Sequence, residues 1–332
     1  MHGHSAFSSL AHEALMVASL LALPTVFTDH SLFGFSDASA VVTNTFLKFS
    51  LANTDHTICV SHTGKENTVL RTSVPPENVS VIPNAVDSVM FRPAKEAREV
   101  GERVVVVIGS RLVYRKGIDL VVEVVPRLAA MRFGARREVR VDFLVAGDGP
   151  KRILLEEMVE RRGLQGRVVM LGEVQHSKMR DSLLVKGDIF LNCSLTEAFC
   201  MAILEAASCG LAVVSTAVGG IPEVLPAQFI RFVEPTVGSI VAGLAAAVEE
   251  VVAGARPDPW TCNRFVGRAY CWRRVAERTE AVYRVVGRRG ARGLGRRVRS
   301  LWEAGRVAGP AMASLYLLLH YFLLLLAWLR PL

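Results

Sequence analysis

From residue 103 onward the chain repeats one phrase: a short apolar run, a glycine-bearing loop, then an amphipathic stretch. The runs at 104–108, 139–146, 168–171, 189–192, 212–215 and 229–233 are almost wholly apolar, which predicts strands covered on both faces. Amphipathic stretches at 118–132, 151–162, 178–186, 198–209 and 237–252 predict the helices between them, and 260–283 predicts a long terminal helix. Strands that alternate with helices in this way make a parallel sheet with crossover connections. The first 92 residues use the same grammar in a shorter form, with strands expected at 25–28, 57–60 and 79–82 and helices before, between and after them. The turn Pro83-Asn84-Ala85-Val86-Asp87 and a polar stretch follow. The expected class is α/β, with two Rossmann-like, doubly wound lobes. The expected divisions are a first lobe over 1–92, a linker over 93–102, a second lobe with its terminal helix over 103–285, an arginine-rich segment over 286–306, and an apolar helix over 307–329. Ligands of such sheets bind beyond the carboxyl ends of the strands, so the loops after Ile108, Ala146, Asn192 and Ser215 are expected to line a cleft.

The last of these segments changes the picture. Residues 307–329 contain no Asp, Glu, Lys or Arg, which is enough apolar chain to cross a bilayer as a helix. Eight arginines against the single carboxylate Glu303 lie between Arg284 and Arg306, so by the positive-inside rule the preceding lobes are expected in the cytosol and the C-terminus across the membrane. The overall charge of +8 is concentrated there, beside an apolar span, which assigns it to a membrane surface and makes nucleic acid an unexpected partner. No charged-apolar-small leader opens the chain. The six cysteines form no C-x-x-C pair and sit in mostly apolar surroundings, so buried reduced thiols are expected rather than disulfides or a zinc site. The sequons at Asn78 and Asn192 are then chance matches.

Three segments carry candidate chemistry. In Gly109-Ser110-Arg111-Leu112-Val113-Tyr114-Arg115-Lys116-Gly117, Arg111 and Lys116 can converge on one anion, such as a diphosphate that gains charge as it leaves. A solvated basic turn is the plainer reading of that loop by itself. The segment from Leu195 to Glu205 places Glu197 and Glu205 eight positions apart, which on one continuous helix puts both carboxylates on nearly the same face. Carboxylates accept paired hydrogen bonds from vicinal hydroxyls, and the N–H groups of Ala198 and Phe199 at the expected helix start can take a phosphate oxygen. Gly147, in Gly147-Asp148-Gly149-Pro150, lets a backbone approach a ligand closely, or is a plain tight turn. In the first lobe His30 ends a strand, where an imidazole can bind the transferred group or can simply be held by Asp29. His2 and His4 lack a third metal ligand nearby in sequence, and there is no Asp-x-Asp, so no metal or other cofactor is expected.

These segments resemble the retaining glycosyltransferases of the two-lobed GT-B fold that carry a Glu-x7-Glu helix, here Glu197 and Glu205. More narrowly, His2-Gly3-His4-Ser5, Thr28-Asp29-His30-Ser31-Leu32-Phe33-Gly34-Phe35, Ser110 to Gly117, Ser194 to Ala202 and Gly219 to Pro226 resemble the family of proteins that transfer N-acetylglucosamine to phosphatidylinositol, the first step of glycosylphosphatidylinositol anchor synthesis. The resemblance implies UDP-N-acetylglucosamine as donor substrate. It also implies Arg111 and Lys116 on the diphosphate, Gly147, Ala198 and Phe199 along the donor, Glu205 on the ribose, Glu197 near the sugar and His30 near the reacting centre. It further implies a multi-subunit complex at the cytosolic face of the endoplasmic reticulum membrane, with a single span and a lumenal C-terminus. Members of that family have a strand and a glycine-rich loop ahead of the segment that opens this chain, so the first lobe is expected to be incomplete and the form shortened. Two other readings stay open at this point: transfer to another lipid acceptor, and a non-catalytic anchored subunit.

Overall fold

The computed structural model describes residues 1–32, 38–72, 74–95, 101–134, 138–256, 258–290 and 292–329, without the side chains of 38–43. Phe33, Gly34 and Phe35, residues 96–100 of the expected linker, and Arg330 lie outside the described residues. The chain divides into two compact units, one formed by Met1–Pro83 and Val275–Leu332 and the other by Asn84–Arg274.

In the first unit the elements run β1 (His2–His4), α1 (Ser9–Leu20), β2 (Val26–Asp29), α2 (Ala38–Ala52), β3 (His56–Cys59), α3 (His62–Thr72) and β4 (Val79–Val81). They build a parallel sheet in the order β1-β2-β3-β4. The three-stranded sheet expected from sequence is therefore corrected to four strands among the described residues. The added strand is His-Gly-His, which has no apolar alternation and is held by backbone pairing of His2, Gly3 and His4 with Val26, Phe27 and Thr28. Phe27, Leu47, Leu51 and Cys59 fill one face of the sheet.

In the second unit follow β5 (Arg103–Gly109), α4 (Ile118–Ala130), β6 (Arg140–Ala146), α5 (Arg152–Arg161), β7 (Val168–Gly172), α6 (Met179–Ser182), β8 (Ile189–Asn192), α7 (Met201–Ser208), β9 (Ala212–Thr216), β10 (Ile230–Val233), α8 (Val237–Val252) and α9 (Pro259–Ala269). The sheet order is β10-β9-β8-β5-β6-β7, every pairing parallel. Val104, Val106, Ile108, Val141, Phe143 and Ile189 are buried under α4 and α8, and Val105 and Val107 on the opposite face of β5 are buried as well, which is why β5 carries no polar alternation. The expected helix over 178–186 is instead the single turn α6 flanked by 3-10 turns.

Three helices close the chain: α10 (Trp272–Arg289), α11 (Leu294–Glu303) and α12 (Ala308–Leu329). The expected continuous helix over 260–283 is broken at Tyr270, whose buried hydroxyl donates to the Val224 carbonyl at 2.6 Å and whose own carbonyl receives the Val86 N–H at 2.9 Å. The second lobe was expected to end at residue 285, yet the chain from Val275 packs with the first unit. The apolar stripe of α10, Val275, Val282 and Val286, covers Val26, Ile58 and Ile82. Within the arginine-rich segment, α11 is amphipathic and buries Leu301 with Leu20, Ala313 and Tyr316. Of the described helices, α12 is the one long and apolar enough to cross a membrane, and only 11% of its most apolar window is buried.

Candidate functional site

The carboxyl rim of the second sheet is built by backbone packed on backbone. The N–H groups of Ser110 and Leu112, after β5, donate to the carbonyls of Ala146 and Asp148, at the end of β6, at 3.1 and 2.8 Å. The Leu195 N–H, after β8, donates to the Arg115 carbonyl at 2.9 Å, and the Gly220 N–H, after β9, donates to the Glu197 carbonyl at 2.9 Å. All four loops expected to bear ligand residues are thus tied together within one unit. Two glycines make this possible. Gly117 has φ +70°, and a Cβ there would lie 1.8 Å from the Cys193 carbonyl oxygen. Gly147 has φ +133°, and its Cβ would lie 1.9 Å from the Ser110 carbonyl oxygen. The Gly147 N–H donates to the Gly172 carbonyl at 2.7 Å, so its backbone is engaged in the rim itself.

Of the sequence-predicted residues, Lys116 and Glu197 are brought into direct contact. The Lys116 ammonium donates to Glu197 Oε1, and the Ser194 hydroxyl donates to the same oxygen at 3.0 Å. Both side chains are largely covered, at 17% and 11% exposed, so the pair holds its charge in place with little screening. Ser194 is itself fixed, since its carbonyl accepts the Thr216 hydroxyl at 2.6 Å. Arg111 is exposed in the same loop, and the described residues give its side chain no hydrogen bond or ion pair.

The expected single helix bearing both glutamates is corrected. α7 begins at Met201, and Cys200 before it has φ +69° and ψ +83°, a left-handed turn in a residue with a Cβ. Glu205 therefore sits on α7 while Glu197, Ala198 and Phe199 precede the helix, and the N–H groups of Ala198 and Phe199 are not those of a helical first turn. Glu205 is buried, and its Oε1 lies 2.8 Å from Nε2 of the exposed His176. His176 and Ser194 escaped the sequence reading. Ser194 stands three positions before Glu197 in the same loop after β8, a local spacing that could have marked it, whereas His176 lies 29 positions from Glu205 in the loop of another strand and leaves no local pattern to read.

In the first unit, His30 is not held by Asp29. The Asp29 carboxylate instead accepts Arg71 at 2.7 Å and Thr68 at 2.9 Å, with Arg71 and Asp29 both fully buried, and takes the Ser31 N–H at 2.9 Å. His30 Nε2 faces His4 Nδ1 at 3.3 Å, His4 stacks on His2 with ring centroids 4.2 Å apart, and His2 contacts the Tyr283 hydroxyl and the Thr28 hydroxyl at 2.6 and 2.7 Å. Burial lowers the pKa of all three imidazoles, and that of His2, also beside His4, falls to about 4. They form a stacked, neutral array, and no metal-holding group of His, Cys, Asp or Glu occurs among the described residues. Burial also pushes the thiols of Cys59, Cys193, Cys200, Cys209 and Cys262 up to about 12, which leaves them protonated and unreactive.

Comparison with known proteins bears directly on this rim. A family model described as "Glycosyl transferases group 1" matches residues 91–258, and one described as "Glycosyltransferase Family 4" matches residues 1–89. A human phosphatidylinositol N-acetylglucosaminyltransferase subunit is 49% identical over 332 residues, all of this chain and 67% of that protein. The chain belongs to the group 1 glycosyltransferases. Within that family it groups with the phosphatidylinositol N-acetylglucosaminyltransferase subunits, the gpi3 subunit of Schizosaccharomyces pombe being 44% identical over 331 residues, 100% of this chain and 71% of that protein. The fold is GT-B: sucrose-phosphate synthase from Thermosynechococcus elongatus matches with a TM-score of 0.71 at 20% identity, over 87% of this chain and 74% of that one. Anabaena Alr3699/HepE, solved in complex with UDP, matches with a TM-score of 0.68 at 19% identity, over 82% of this chain and 77% of that one. In this glycosyltransferase Gly117 and Gly147 let the rim loops pack closely, and the Lys116–Glu197 pair and the buried Glu205 are polar groups concentrated beyond the carboxyl ends of the strands, where ligands of open parallel sheets bind.

Proposed function

We propose that the chain is a retaining transferase that moves N-acetylglucosamine from UDP-N-acetylglucosamine to phosphatidylinositol, the first step of glycosylphosphatidylinositol anchor synthesis. It acts within a multi-subunit complex at the endoplasmic reticulum membrane, its units in the cytosol and α12 as its single span. The observation that carries this reading is the 49% identity to the human protein across the whole chain. The rim supplies a chemistry to match. Lys116 is paired with Glu197. An arriving diphosphate draws the ammonium toward itself together with Arg111, and the released Glu197 carboxylate accepts hydroxyls of the sugar. The cations then stabilise the charge that builds on the departing UDP, with no divalent ion required. Glu205 exchanges His176 for the ribose hydroxyls, Gly147, Ala198 and Phe199 border the donor, and His30, its pKa lowered by desolvation and by the neighbouring His4, serves the reacting sugar.

The test is transfer of labelled N-acetylglucosamine to phosphatidylinositol by the assembled complex carrying Arg111→Ala or Glu205→Ala, with UDP affinity measured in parallel. Both variants should lose transfer by roughly 100-fold or more, on the order expected when charge-assisted contacts to a transition state are removed. Full activity in either variant refutes its assigned role. UDP binding by the native chain with transfer to a different lipid retains the donor reading and replaces the acceptor. Absence of UDP binding leaves a non-catalytic subunit.

A further inference from the structure

The first unit contains a cavity of about 1070 Å³ that the transfer chemistry does not use. It opens at the amino ends of β3 and β4, bordered by Asp55 and Asn78, whereas His4 and His30 lie at the carboxyl ends of the same sheet. Four cations line it: Lys48 of α2, Arg289 at the end of α10, and Arg292 and Arg296 at the start of α11. The two carboxylates in its wall, Asp55 and Glu303, are already engaged. Asp55 receives Arg292 Nε at 3.0 Å and both the N–H and the hydroxyl of Thr25 at 2.9 Å, and Glu303 receives Arg299 Nε at 2.8 Å. Arg289 donates to the neutral Asn78 amide oxygen at 2.9 Å. Among the described residues no carboxylate pairs with Lys48, Arg289 or Arg296, so the cavity wall carries an excess of positive charge that attracts an anion.

The position of the cavity names the ligand. Glu303 and Ala304 form part of its wall, and the apolar helix α12 starts at Ala308, within about one helical turn. α11 turns Leu294, Val298 and Leu301 toward Leu20 and Tyr316, and Arg296 lies on its cavity side. α11 packs along the first turns of α12, with Arg297 Nη1 donating to the Tyr316 hydroxyl at 3.0 Å. It is therefore the Ser300–Ala304 end of the cavity that stands next to the start of α12, where lipid phosphates gather when α12 lies in a bilayer, and the cavity volume is in the range that holds a small polar group. We propose that it binds the phosphate-bearing headgroup of an anionic phospholipid, at a site separate from the acceptor, and so fixes the first unit on the membrane surface. The proposal rests on α12 lying in the membrane and is independent of which sugar or acceptor the transferase uses.

The experiment titrates the full chain in a neutral detergent with dioctanoyl phosphatidic acid, dioctanoyl phosphatidylcholine and inorganic phosphate, following occupancy by native mass spectrometry and, in the same preparation, UDP affinity. Phosphatidic acid should bind and phosphatidylcholine should not. Lys48→Ala with Arg296→Ala should weaken phosphatidic acid on the order of 30-fold, the worth of two cations near a lipid surface. Gly295→Leu supplies a variant that cannot be dismissed as unfolded. Gly295 lines the cavity, a Cβ there meets nothing within 4 Å, and leucine favours a helix over glycine, so this variant should block lipid while the melting temperature holds or rises. A distant pair of the same charge, Arg161→Ala with Arg162→Ala, should leave binding intact. Unchanged affinity in the cavity variants, equal binding of phosphatidylcholine, an equal loss in the distant pair, or full displacement by millimolar inorganic phosphate each overturns the lipid assignment. Normal UDP affinity throughout separates that outcome from failure of the transferase reading.

Discussion

Replacing Gly117 by alanine isolates the physical basis of the donor rim. The added Cβ would lie 1.8 Å from the Cys193 carbonyl oxygen, so the β5 and β8 loops must part by about 1.2 Å to reach even the 3.0 Å that such contacts almost never go below. The obstacle is backbone, which cannot rotate aside as a flexible side chain can. The left-handed backbone at φ +70° adds a cost of about 1 kcal/mol, and overpacking of this kind costs a further ~1–3 kcal/mol. A total of about 3 kcal/mol corresponds to a fall of about 6–12 °C in melting temperature for a unit of this size. Separation of the loops also strains the Leu195–Arg115 backbone bond and carries Lys116 out of place, so UDP affinity should fall about tenfold or more, the worth of one charge-assisted hydrogen bond. Gly163→Ala supplies the control, because Gly163 has φ +62° with nothing within 4 Å of its Cβ and bears the backbone cost alone. The measurement is differential scanning of the full chain in detergent, with UDP titration of each variant. If Gly117→Ala melts within about 2 °C of Gly163→Ala and binds UDP normally, the contact argument is wrong.

Two further outcomes follow from the same geometry. Glu197→Gln removes the charge that neutralises Lys116, so UDP should bind on the order of tenfold tighter while transfer is lost; weaker binding of UDP by this variant, measured by calorimetry, would show that the pair does not gate the diphosphate. The pKa values of His2, His4 and His30 lie below the ordinary 6.5 in the fold, that of His2 near 4, so the unfolded chain binds more protons between those values. Stability should therefore be complete above pH 6.5 and decline as pH falls from 6.5 toward 4, and His2→Phe should flatten that part of a melting-temperature profile.

Much of the architecture was legible without coordinates, for a definite reason. A strand buried on both faces must be apolar at every position, so the runs that became β5, β6, β8 and β9 announced themselves, as did α8, which matches its expected bounds of 237–252. Strand β1 carried no such mark, because His2-Gly3-His4 is held by its partner's backbone rather than by its own side chains. The amphipathic stripe of α10 was visible, but a stripe states only that something apolar covers it. That Val26, Ile58 and Ile82 supply the cover, and not the second sheet, is a property of the whole chain's path.

The candidate site divides along the same line. Sequence determined which chemical groups the rim contains, since the loops after strands of a parallel sheet are fixed once the strands are known, and Arg111, Lys116, Glu197 and Glu205 stand in or just beyond them. Tertiary structure alone decided how those groups are shared. Lys116 pairs with Glu197, buried Glu205 takes exposed His176, Asp29 is claimed by Arg71 and leaves His30 to His4, and the left-handed turn at Cys200 separates two glutamates that a regular helix would have aligned. Helical and strand periodicity is set by neighbours along the chain, but ion pairing and left-handed backbone are set by what packing brings from elsewhere in the fold, and those contacts outweigh the local preference.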